Sequence, residues 1–139
     1  MPQREIEVVL MRQLASYLAM PILIVDPRGD LLFFNESAEL ILGRRFDETG
    51  EIRRGQWSRT FKPTNRDGSP LKREEQPLFI ATSQHKPAHR RFWIRGLDGN
   101  AREIEGTAFP LIGQSGRNLG AVGIFWQTKG SIRNQRRQR

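Results

Sequence analysis

"PILIVDPRGDLLFFNESAELILG", residues 21–43, decides how this chain is read. Residues 22–25 are a β-branched apolar run of strand length. Residues 26–29, Asp-Pro-Arg-Gly, supply turn chemistry: Asp26 can bond its own backbone, Pro27 presets the second position and Gly29 closes the fourth. Residues 30–34 return as a second strand. Asn35 stands where a short polar side chain caps a helix; Ala38, Ile41 and Leu42 then share one helical face, and Gly43 ends it. The stretch is a tight hairpin that runs directly into a helix.

Working outward, residues 4–19 form an amphipathic helix that Pro21 stops. Ile6, Val9, Leu10, Gln13, Leu14, Tyr17 and Leu18 recur at steps of three and four, so the apolar ones share a face. Residues 44–73 are charged and irregular, with Trp57 and Phe61 four apart, and predict short helical turns and loops. A helix is expected over about 74–84, with Pro77 in its first turn, where a missing amide costs least. Thereafter the period changes to two: Phe92 and Ile94 fall on one face and Trp93 on the other. Asp98-Gly99 marks a hairpin, residues 102–112 alternate again, residues 113–120 form a longer turn, and residues 121–127 make a last strand. Five strands interrupted by a helical middle predict an α+β fold with one antiparallel sheet and short helices on one of its faces. The other face needs a cover, and the N-terminal amphipathic helix, from this chain or a partner, is the natural one.

A chain of 139 residues suits one domain. It divides into an N-terminal helix (1–20), a folded unit (21–127) and a basic end (128–139) expected to be a disordered tail or linker. The absence of cysteine excludes disulfides, thiolate metal sites, a cysteine nucleophile and any cysteine-linked flavin or chromophore. No signal peptide and no apolar run of ~20 residues is present, so a cytoplasmic chain without a membrane span is expected. Of the net charge of +8, five positive charges (Lys129, Arg133, Arg136, Arg137, Arg139) sit in the last eleven residues with no acid among them, leaving the rest at about +3. Such an end is either solvated or a patch for phosphate, which keeps open the alternative of a small basic nucleic-acid-binding regulator. No aromatic interleaves those arginines, so base stacking is not indicated.

Three pieces in this order resemble the PAS domain family: residues 24–43, the stretch "DGSPLKREEQPLFIA" at 67–81, and the strand pair "RGLDGNAREIEGTAFPLIGQSGRNLGAVGIFWQ" at 95–127. The resemblance, which runs from Pro21 to Trp126, is to the PAS domains of sensor kinases. It implies a five-stranded antiparallel sheet with short helices on one face, and a sensory or signal-transduction module, as in the regulation of transcription, that binds a small ligand or pairs with a second copy. An effector protein or kinase is the implied partner. Kinase-linked members often close on Asp-Ile-Thr; here Gln127, Thr128 and Lys129 stand instead.

The resemblance places a ligand between the sheet and the short helices, with Trp57, Phe61, Phe79, Phe92, Ile94, Ile104 and Ile124 as candidate lining, the plainer alternative being that they simply fill a core. Asn35 is assigned a structural role at the joint of strand and helix. Ile6, Leu10, Leu14, Tyr17, Trp93 and Trp126 are the candidate homodimer interface, because exposed aromatics on an open sheet mark a contact surface. The cofactor is unknown. Haem is a remote reading that would use His85, whose surroundings "SQHKPAHRR" are hydrophilic where a haem ligand wants an apolar shell. His85 and His89 have no third ligand nearby, so no metal site is expected. No serine–histidine–acid set, glycine-rich phosphate loop or buried carboxylate pair is found, and the chain reads as a non-enzyme.

Overall fold

The computed structural model describes residues 6–128. Helix α1 (Ile6–Tyr17) leads into β1 (Ile22–Val25), β2 (Leu31–Phe34), α2 (Glu36–Leu42), α3 (Phe46–Thr49) and α4 (Arg54–Phe61). A 3₁₀ turn (Arg73–Glu75), α5 (Pro77–Gln84), β3 (Ala88–Arg95), β4 (Ala101–Ile112) and β5 (Asn118–Gln127) complete it. The five strands form one sheet in the order β2-β1-β5-β4-β3, antiparallel at every junction. The early hairpin and the late strands thus share one layer, joined where β1 pairs with β5 from Ile22↔Ile124 to Val25↔Ala121.

Local chemistry sets the ends of these elements. Asp26 Oδ1 accepts from the amides of Arg28 and Asp30, both at 2.9 Å, which closes the β1–β2 turn. Asn35 caps α2 by accepting from Ala38 N at 3.1 Å, and Gly43, at φ +81°, ends it with its amide on Glu39 O. Pro77 occupies the first turn of α5. The helix expected over 74–84 is split: residues 73–75 form the 3₁₀ turn and α5 begins only at Pro77, because a residue before proline is driven out of the helical region.

Helices α2, α4 and α5 lie on one face of the sheet. Beneath them the core gathers Phe34, Leu31, Val25, Phe61, Ile94, Ile104, Ala108 and Phe125, all buried. Helix α1 lies on the opposite face, where Val8, Met11 and Ala15 pack on Ile22, Ile24, Leu32, Leu119 and Val122. The stripe at 8, 11 and 15 meets the sheet, while Ile6, Leu10, Leu14 and Tyr17 are 52 to 87 % exposed. The small side chain of Ala15, wholly buried, lets the helix approach closely. The basic residues from Lys129 to Arg139 lie outside the described residues, as do residues 1–5.

Candidate functional site

The joint at Asn35 holds three elements together. Its Oδ1 accepts from Ile22 N at 3.0 Å as well as from Ala38 N. Its Nδ2 donates to Ala15 O and Met20 O, both at 2.8 Å. The side chain is buried and fully used: both acceptor positions and both donor positions are occupied. One amide therefore ties the last turn of α1 to the first residue of β1 and the first turn of α2.

A cavity of about 60 Å³ lies between the sheet and helices α2, α4 and α5. Trp57, Phe61, Phe92, Ile94 and Ile104, all expected there, line it, together with Leu23, Leu31, Leu78 and Phe125. The glycines and alanine at 106, 123 and 108 leave the space, and Gln76 is its polar side chain. That volume admits a few waters or a very small apolar molecule and falls far below the ~300 Å³ at which pockets begin to hold drug-sized ligands. Ile124 also borders it, but the alternation of β5 sends its side chain to the opposite face, where it packs with Ala15 and Val122. Phe79 does not line this cavity. It lies in a separate groove of about 420 Å³ between α4, α5 and the β1–β2 turn.

His85 caps the C-terminal end of α5 in the left-handed conformation, exposed and off the cavity wall, which removes the geometric basis for a haem ligand. Among the described residues no group of three or more histidine, aspartate or glutamate side chains is placed to hold a metal.

The outer sheet face beyond α1 carries the two expected tryptophans. Trp93 pairs across the sheet with Glu103, and Trp126 with Glu105, both tryptophans half-buried. His89 Nε2 lies 2.7 Å from Glu105 Oε2, and its ring is 6.0 Å from that of Trp126. The His89 hydrogen bond and the charge of Arg91 hold the Glu105 carboxyl below its ordinary range. On the inner side, Arg102 donates to Asp98 at 2.6 Å and to Ile41 O at 3.1 Å, clamping the β3–β4 hairpin to the end of α2. Leu97 N reinforces this by donating to Leu42 O. At the end of β5, Thr128 donates from N and Oγ1 to Glu103.

A five-stranded antiparallel sheet of order 2-1-5-4-3, with three helices on its inner face and a leading helix on its outer one, has close counterparts among solved structures. The PAS domain of a Colwellia psychrerythraea protein superposes with a TM-score of 0.61 at 15% identity, covering 88% of this chain and 98% of that one. The fold is that of a PAS domain. The PAS domain of Bordetella pertussis BvgS matches with a TM-score of 0.59 at 16% identity, over 95% of this chain and 94% of that chain. The Rhodobacter sphaeroides LOV protein matches with a TM-score of 0.67 at 8% identity, over 88% of this chain and 68% of that chain. No protein-family model matches the sequence, and neither does any curated protein. Among the described residues, no helix of this PAS fold is long and apolar enough to cross a membrane.

Proposed function

We propose that this chain is a non-catalytic sensory module that works as a homodimer through the outer stripe of α1. The observation that carries the reading is that α1 has two apolar faces. Val8, Met11 and Ala15 are spent on its own sheet, and Ile6, Leu10, Leu14 and Tyr17 remain exposed on the other side. A monomer gains nothing from a second apolar stripe of this kind, whereas a symmetric pair of helices buries it. The proposed contact also takes in the sheet face near Trp93 and Trp126. Asn35 supplies the route from the folded unit to that helix, since any shift of β1 against α2 moves the amide that holds Ala15 and Met20. Signalling is then a population shift: a ligand or partner changes packing around the cavity, the sheet adjusts, and the paired α1 helices change angle.

Light scattering on the wild-type chain and on Leu10→Asp/Leu14→Asp tests this reading. The wild type is expected at twice its 16.1 kDa mass and the variant at once that mass. A monomeric wild type, or a variant that remains dimeric, overturns it.

A further inference from the structure

The groove of about 420 Å³ between α4, α5 and the β1–β2 turn is lined by four arginines, Arg28, Arg54, Arg59 and Arg73, and by no acid. Four arginines elsewhere in the fold are ion-paired: Arg45 with Asp47, Arg90 with Glu75, Arg91 with Glu105 and Arg102 with Asp98. The guanidinium groups of Arg28, Arg54 and Arg59 have no carboxylate within ion-pair distance among the described residues. Two acids of the adjoining β1–β2 turn accept from backbone amides. Asp26 accepts from Arg28 N and Asp30 N, and Asp30 accepts from Arg54 N at 2.9 Å. Arg73 stacks 5.7 Å over the ring of Phe79, which fixes it at the groove wall.

Like charges gathered in one concavity repel each other, and an anion relieves that repulsion. Guanidinium groups match the oxygens of a phosphate in paired hydrogen bonds, which a lone carboxylate exploits at only one arginine. We propose that this groove binds a small phosphorylated molecule, with Arg28, Arg54 and Arg59 on the phosphate and the organic part against Phe79 and Trp57. The groove has room for both. Trp57, Gln76 and Leu78 line this groove and the core cavity alike, so they form the wall between them. An occupant presses on the same side chains that set the cavity's packing. The assignment stands apart from the dimer reading, because no groove residue lies on α1 or on the outer sheet face.

The test titrates the full chain with inorganic pyrophosphate at constant ionic strength, following tryptophan fluorescence and the thermal midpoint. Saturable binding with a rise in the midpoint is expected. It should weaken about tenfold or more in Arg54→Ala/Arg59→Ala and in Arg28→Gln, which lies on the turn outside α4. Affinity should be unchanged in Arg45→Ala and in the tail variant Arg136→Ala/Arg137→Ala. The fluorescence change should vanish in Trp57→Phe while the midpoint still rises. Absence of saturation at millimolar pyrophosphate, wild-type affinity in both groove variants, or loss confined to the tail variant overturns the proposal.

Discussion

Asn35 Nδ2 donates to the carbonyl oxygen of Ala15 at 2.8 Å, spanning 20 positions of sequence from the hairpin–helix joint to the last turn of α1. Two consequences follow from this bond and its three companions. The leading helix is docked by apolar contact along its length but is located by hydrogen bonds at its C-terminal end. And the residue that locates it is the same one that starts β1 and caps α2, so the helix cannot shift without disturbing the sheet's entry.

Asn35→Asp isolates the donor half of that side chain. The acceptors for Ile22 N and Ala38 N remain, while the carbonyls of Ala15 and Met20 lose their donor and face a buried carboxylate. A loss of about 2–4 kcal/mol in unfolding free energy is expected at neutral pH. Part of it should return in acid, where a protonated carboxyl regains one donor. Denaturant melts at two pH values check this, and amide exchange should show α1 opening ahead of the sheet.

The hairpin clamp makes a pH-dependent contribution of definite sign. Arg102 lowers the Asp98 carboxyl from 3.8 to about 2, and the carboxylate is about one-third exposed. Because its folded value lies below its unfolded one, the stabilisation is present above pH 3.8 and disappears as the pH falls through about 2. After allowance for solvent screening, Asp98→Asn is expected to cost about 1 kcal/mol at pH 7. The wild type and the variant should converge at the acid limit, as read from stability curves across the two values.

Two strand glycines should respond oppositely to alanine. A methyl at Gly120, where φ is +120°, runs into the carbonyl oxygen of Val25, so Gly120→Ala should cost about 2–3 kcal/mol or prevent the β1–β5 pairing. A methyl at Gly106 meets nothing nearer than Phe125 Cβ at 3.6 Å and enters the cavity, so Gly106→Ala should be neutral or stabilise by about 0.5–1 kcal/mol. Thermal unfolding of the two single variants reads both signs.

Residues 21–43 were legible because their chemistry is local: the Asp-Pro-Arg-Gly turn, the Asn35 cap and the Gly43 stop each act within a few residues. Helix α1 was legible as a helix but not as to its docked side. Both its stripes are apolar, and periodicity does not say which is small enough to sit flat on a sheet. The face of Ile124 was hidden for a related reason. Strand β5 is covered by α5 on one side and α1 on the other, so both faces are apolar and alternation carries no polarity signal. Phe79 sits beside Leu78 on a short helix, and only the packing of α5 shows which of the two reaches the cavity. The arginine groove had no sequence signature at all: Arg28, Arg54, Arg59 and Arg73 are spread across 45 positions and meet only in the folded chain.

The central claim is that the outer stripe of α1 is a contact between two copies, and the absence of cysteine makes it directly measurable. Gln13→Cys introduces a unique thiol on the exposed side of α1 beside Leu10 and Leu14. Packed helices lie about 8–10 Å apart. A spin label at that thiol should therefore give a strong intermolecular dipolar coupling at the short end of the measurable range, lost when Leu10→Asp is added. A label with no intermolecular coupling, or a coupling indifferent to Leu10→Asp, contradicts the account.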